Sequence, residues 1–356
     1  GLEYMATIDS YAEQQAQKCL SYKFCENLNL QAIKQRVENL LNHVGDNGVF
    51  FEYTMHDISH VNGILSLYEK IIPDTTKYRM TSADWLMIVL AAYFHDIGMV
   101  VTRSEFEKRE ENADFISFLD DKKKYGHIMS EISELTPENQ DRFWYQEFVR
   151  HEHGNRAYNW IKNYDKIESE PCAMINEVLA GLDDSFRYSL ALVCKSHTLD
   201  VLPEDLYSVD EAYGTSDDEK VNLLYASVLL RTADLLHVTN DRTPSVEYRI
   251  ILPQNKVSQL EWAKQKAVKS IDVKEELDEN GNLSRSFSHS FLIQAKFNDA
   301  EGYFSFKDYV TYAQGELLKS KKWIQDEHSE YARAYLFPWD SIDTSRIKTE
   351  GFSNEK

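Results

Sequence analysis

The stretch Ser82-Ala83-Asp84-Trp85-Leu86-Met87-Ile88-Val89-Leu90-Ala91-Ala92-Tyr93-Phe94-His95-Asp96-Ile97-Gly98 carries most of the information about the fold. Apart from Ser82 and Asp84 in the first turn, every residue up to Phe94 is apolar. A helix that is apolar all round has no solvent face and must lie inside the protein. Asp84 near its start and Gly98 just past its end mark the termini. The helix nevertheless runs into an imidazole and a carboxylate, His95-Asp96. Burying a carboxylate without compensation costs several kcal/mol, so Asp96 calls for a cation, a metal or a hydrogen-bond network. An aspartate that merely caps nearby amides is the plainer alternative.

Outward from this helix, residues about 30 to 245 read as helical, with apolar positions recurring every three or four residues; Ile58, Val61, Ile64, Leu65, Tyr68 and Ile72 show the period. Thr136-Pro137 predicts a helix start, because proline suits the first helical position. Further helices are predicted over about 184–198 and 218–238, the latter closed by Pro244. The charged connections at about 103–135 and 200–218 read as solvated loops rather than lids. After Pro244 the texture changes. Val246 to Leu252 reads as a strand, Glu279-Asn280-Gly281-Asn282 as a hairpin turn, and helix returns over about 307–333. The expectation is a mainly α fold: an N-terminal helical extension (1–29), a helical bundle (30–245) and a smaller C-terminal α+β appendage with a connector (246–356). The appendage shows no chemical motif and reads as a packing or docking module.

Charge narrows the function. Lys and Arg number 39 against 59 Asp and Glu, a net charge of −20, which repels phosphate backbones and acidic membranes. An acidic protein can still process phosphates if bound divalent ions supply local positive charge. Cys19, Cys25, Cys172 and Cys194 lack C-x-x-C spacing and read as reduced thiols. With neither a signal peptide nor a membrane-spanning run in the pattern, a cytoplasmic protein without a membrane partner is expected.

Four more places offer ligands. His56 and His60 share a helical face at i,i+4 but do not make an H-E-x-x-H zinc-protease motif, which needs Glu as base. Asp234 lies in the apolar run Leu229-Leu230-Arg231-Thr232-Ala233-Asp234-Leu235-Leu236, where Arg231 at i−3 is an alternative partner. In Arg150-His151-Glu152-His153-Gly154-Asn155-Arg156, His151 and His153 are about 200° apart on a helix, so one of them faces a common site, and periodicity does not choose which. His197 follows Leu190, Val193 and Cys194 at inward-facing spacings. Two apolar helices each bearing an aspartate, together with these histidines, make a shared cation the economical account.

The ordered set His60, His95-Asp96, His153, His197 and Asp234 resembles the HD superfamily of metal-dependent phosphohydrolases, whose pattern is H…HD…H…H…D, over about residues 50–245. Arg150-x-x-His153-Gly154-x-Arg156, Leu230-Arg231-Thr232-Ala233-Asp234 and Asp241-Arg242-Thr243-Pro244 are similar to the HD subgroup associated with bacterial conflict systems, a role in bacterial defence. The resemblance favours His153 over His151. It implies an HD-type helical bundle with one or two divalent ions (Mn, Fe, Ni, Co, Zn or Mg), held by His60, His95, Asp96 and Asp234, with His153 and His197 serving the second ion. Asp96 would bridge the two ions, and Asp96 and His153 would be catalytic, around a water acidified to attack phosphorus. Arg150, Arg156, Lys195 and Arg242 are the implied phosphate-binding residues, with Arg231 a further candidate.

The function so implied is hydrolysis of a phosphoester in a nucleotide, cyclic nucleotide or related small molecule. A single-strand nuclease is the less favoured alternative, given the net charge; a non-catalytic nucleotide or metal sensor is the other. The stretch Asp340 to Phe352 resembles the connector after which some members of this subgroup continue into an Hsp90-like ATPase. It implies a fused or associated ATPase module and a longer natural polypeptide.

Overall fold

The computed structural model describes residues 6–42, 58–163, 166–237, 267–284 and 288–354. His56, the strand expected at Val246–Leu252 and Arg242 lie outside them. The helices in chain order are α1 (Tyr11–Gln17), α2 (Leu30–Leu41), α3 (Ile58–Ile71), α4 (Asp74–Arg79), α5 (Ser82–Phe94), α6 (Arg103–Glu107), α7 (Ala113–Leu119), α8 (Met129–Ser133), α9 (Pro137–Lys162), α10 (Glu170–Val178), α11 (Asp184–Ser196), α12 (Leu223–Leu236) and α13 (Ala300–Gln325). The strands are β1 (Glu211–Ala212), β2 (Lys220–Val221), β3 (Val268–Val273), β4 (Glu276–Leu277), β5 (Leu283–Ser284), β6 (Ser290–Phe297) and β7 (Ser341–Thr349). The fold is mainly α with a small strand-containing C-terminal part.

Helix α5 is the centre. A capping box sets its start: Thr81 Oγ1 accepts from Asp84 N and the Asp84 carboxylate accepts from Thr81 N. Every residue from Ala83 to Phe94 is buried. The apolar stretch 82–107 is long and apolar enough to cross a membrane by composition, yet 94% of its apolar window is buried inside the protein, as befits a core helix. Helices α1, α3, α11 and α12 all pack against α5. The N-terminal segment is tied into this core: Glu13 on α1 forms an ion pair with Lys34 of α2 at 3.0 Å and accepts from the Tyr93 hydroxyl. The long α9 starts as expected, with Thr136 as its cap and Pro137 in its first turn, and lies along α11.

One expectation is corrected. The segment 103–135 is not a solvated loop: α6, α7 and α8 lie within it, and Phe115, Tyr125 and Ile132 form a small second core with Phe143, Trp144, Tyr145 and Phe148 of α9. Its abundant charges hid four well-spaced apolar anchors, Phe106, Phe115, Tyr125 and Ile132, that are enough to fasten short helices. Within Asp340 to Phe352 lies β7, which pairs parallel to β6 from Ser290↔Ser341 to Phe297↔Thr349. Sheet order is β3-β6-β7, with α13 as the crossover between the two parallel strands. Phe291, Ile293, Ala295 and Phe297 alternate inward along β6.

Smaller shifts follow from local caps. Asn222 caps α12, so the helix begins at Leu223, while Ser216 to Glu219 close their own capped turn. Asp299 caps α13, so that helix begins at Ala300 and ends at Gln325. The hairpin turn stands where expected, between β4 and β5. The four cysteines are free and buried.

Candidate metal centre

Three helix ends meet beside α3 and α9. His95 is the C-cap of α5, His197 is the C-cap of α11, and Asp234 lies in the last turn of α12. The carbonyl end of a helix carries partial negative charge, so three such ends together favour a cation. His60 enters from the first turn of α3, and His153 from the middle of α9, where both are buried.

The imidazoles converge through one type of atom. His60 Nε2 lies 3.2 Å from His95 Nε2 and 3.0 Å from Asp234 Oδ1. Asp96 sits between two groups. Its Oδ2 faces His95 Nε2 at 3.3 Å and His60 Nε2 at 3.5 Å, while its Oδ1 faces His153 Nε2 at 3.5 Å and His197 Nε2 at 3.7 Å. His153 and His197 approach within 2.8 Å through their Nε2 atoms. The ligand atoms of His60, His95, Asp96 and Asp234 all lie within 4.8 Å of one another, as do those of Asp96, His153 and His197.

The opposite ring atoms show which nitrogen of each ring faces the centre. His95 Nδ1 lies 2.8 Å from the Ala92 carbonyl, His153 Nδ1 lies 2.6 Å from the Arg150 carbonyl, and His197 Nδ1 is hydrogen-bonded to the Cys194 carbonyl. A carbonyl only accepts, so each of these Nδ1 atoms carries a proton, and in the neutral ring each Nε2 presents a lone pair. Lone-pair nitrogens and two carboxylates packed at these distances repel one another unless ring protons or a metal ion lie among them. The donor set therefore fits a divalent ion, and His/Asp ligation is what Mn, Fe, Co, Ni and Zn accept. The same charge acts on protons. Burial lowers the basicity of His95, but Asp96 and Asp234 beside it outweigh burial and push it up to about 10.

The structure chooses between the two α9 histidines. His151 is exposed, beside Glu152 and the Phe118 ring, whereas His153 turns inward. Gly98 permits this: a Cβ there would stand 2.0 Å from the His153 carbonyl oxygen, so only glycine lets the turn after Asp96 abut α9.

The basic residues separate. Arg156 donates to the Gly98 and Val100 carbonyls and to both carboxylate oxygens of Glu105, anchoring α6 to the site's rim. Arg231 does not turn to Asp234. It donates to the Ser196 and Leu199 carbonyls on either side of His197 and to Glu316 of α13, so it braces the end of α11. Arg150 is buried one turn before His153, and Lys195 lies over the Tyr158 ring.

One residue escaped the sequence reading. His237, the C-cap of α12, places its Nδ1 2.7 Å from His60 Nδ1. The signal was its place three residues after Asp234, on the same face of the helix.

Residues 50–319 match the model of the family described as HD-CE, an HD-type domain. No curated protein matches the chain. The HD-type match and the His/Asp cluster together fit a metal-dependent hydrolase.

Proposed function

This chain belongs to the HD-CE family, and from that premise we propose that it is a metal-dependent phosphohydrolase cleaving a phosphoester of a nucleotide, cyclic nucleotide or related small molecule. The observation that carries the reading is the divided carboxylate of Asp96, with one oxygen toward His60 and His95 and the other toward His153 and His197. Asp96 would be shared by two ions, with His60, His95 and Asp234 holding the first and His153 and His197 the second. Divalent ions held there would supply charge stabilisation for a phosphoryl group and acidify water.

The chain's own residues would do the rest. The Nδ1 hydrogen bonds to the carbonyls of Ala92, Arg150 and Cys194 hold three rings with Nε2 facing the centre. Asp234 and His153 are the ligands with the more exposed side chains, at 14% and 10%, and so mark the side from which substrate enters. Arg150 and Lys195, each within one turn of a ligand histidine, are the proposed phosphate-facing cations. Arg156 is left out, because its donors are engaged by Gly98, Val100 and Glu105. The motifs around His153 and Asp234 support placement in the conflict-system subgroup, with an ATPase as associated module.

The test is turnover by purified protein loaded with Mn²⁺, offered nucleotides, cyclic dinucleotides and short single-stranded DNA, with Asp96→Ala as control. Preferred cleavage of DNA would turn the reading to a nuclease. Metal binding without turnover of any phosphoester would leave the sensor reading.

A further inference from the structure

Three of the four cluster histidines take their orientation from the backbone. His95, His153 and His197 each direct Nδ1 to the carbonyl three residues earlier in their own helix, at Ala92, Arg150 and Cys194. Their tautomer is thus built into helix geometry and is insensitive to side-chain substitution. His60 differs. Its Nδ1 meets a side chain from the far end of the sequence, His237 Nδ1, at 2.7 Å, with the ring centroids 4.9 Å apart.

We propose that His237 is a positioning residue for the metal centre: it accepts the His60 Nδ1–H, and so holds the His60 ring with its Nε2 lone pair toward Asp96, Asp234 and His95. Two facing nitrogens at this distance share one proton, so one donates and the other accepts. His60 Nε2 is the atom among the other ligands, 3.0 Å from Asp234 Oδ1. With Nε2 giving its lone pair to an ion, the proton would belong on His60 Nδ1, and His237 would present a lone pair at Nδ1 with its own hydrogen on Nε2. A ligand histidine held through its far nitrogen is oriented and made more basic.

A second observation shows that space is reserved for this ring. A Cβ on Gly63, one turn after His60 on α3, would lie 2.0 Å from His237 Nε2, 2.4 Å from Cδ2 and 2.6 Å from Cε1. Gly63 is the floor on which His237 lies, so α3 supplies both the ligand and the seat of its positioning partner. His237 also caps α12, placing it three residues from the ligand Asp234. Movement of the α12 end would displace one ligand directly and a second through its tautomer.

The inference rests on the metal reading, and the experiment separates the two. Titration of the whole chain with Mn²⁺ alone should show first-ion affinity falling on the order of 10-fold or more in His237→Ala. His237→Asn, whose side-chain oxygen can accept near the position of Nδ1, should recover most of that loss. Gly63→Ala should weaken binding like His237→Ala, but should add nothing in the Gly63→Ala/His237→Ala double variant, where the new methyl fills the vacated ring space. Nitrogen-15 imidazole spectra of the metal-free protein should show a proton on His60 Nδ1 hydrogen-bonded to His237 Nδ1, and loss of that hydrogen bond in His237→Ala. Wild-type affinity in His237→Ala, equal losses in the Ala and Asn variants, additive losses in the double variant, or His60 Nδ1 without a proton would each overturn the proposal. If the wild type bound no Mn²⁺, the metal reading would fail, and the spectra would still decide the hydrogen bond. Should His237→Ala not fold, the Asn and Gly63 variants and the wild-type spectra carry the test.

Discussion

Helix α5 has a buried carboxylate near each end, and the two live in opposite surroundings. At the N-terminal end Asp84 accepts from Thr81 N at 2.9 Å, from Asn222 N at 2.8 Å and from the Tyr335 hydroxyl. Burial pushes its pKa up, those hydrogen bonds pull it back, and it settles at about 6. At the other end Asp96 is met by four imidazoles whose Nε2 atoms lie within 3.3 to 3.7 Å. Donors compensate a buried carboxylate and tie segments together; lone pairs add to its negative field and call for a cation. A buried aspartate on an apolar helix is thus no signature of a metal site. What decides is whether its neighbours bring hydrogens or lone pairs.

The sharpest way to break this contrast is to remove each carboxylate in turn. Asp96→Ala is expected to abolish ion binding and hydrolysis, because the two proposed ion positions would share it; elemental analysis showing metal retained would sink the bridging role. One step smaller, His197→Ala should keep the ion held by His60, His95, Asp96 and Asp234 and lose the second. Two ions retained in that variant would refute the division. His153→Ala should lose on the order of 10-fold or more in second-ion affinity or activity.

Asp84→Ala should behave as the structural counterpart. Stranding three donors is expected to cost about 3 kcal/mol or more of stability, seen in denaturant unfolding, while the folded protein keeps its ions. Loss of metal with unchanged stability would reverse the assignment of the two ends. The pH dependence sharpens the same point. Asp84 holds its proton more tightly in the fold, at about 6, than at its ordinary 3.8, so its contribution is fullest below about 4 and is lost as pH rises through 6. At 1.36 kcal/mol per pH unit that amounts to about 3 kcal/mol. Unfolding midpoints measured across this window should fall with pH more steeply in the wild type than in Asp84→Asn; equal slopes would show that Asp84 is not the titrating group. The smallest effect belongs to His151→Ala, which should leave metal content and turnover unchanged.

The sequence by itself determined a good deal of this molecule. Near-continuous apolarity marked α5 as the core, Thr136-Pro137 marked the start of α9, Glu279 to Asn282 marked a turn, and an imidazole or carboxylate within or ending an apolar run marked His95, Asp96, His197 and Asp234. Each of these is a local pattern, readable within one or two helical turns. Only the tertiary structure decided that His153 and not His151 faces the cluster, that Arg156 and Arg231 are engaged by carbonyls and carboxylates, that Asp340 to Phe352 supplies a sheet strand, and that His237 stands behind His60. Helical periodicity reports which residues share a face but not what that face meets. His60 and His237 are 177 residues apart, and Gly98 touches α9 through a backbone carbonyl rather than a side chain. Contacts of that kind are set by where helices end and how closely they approach, which only the packed chain defines.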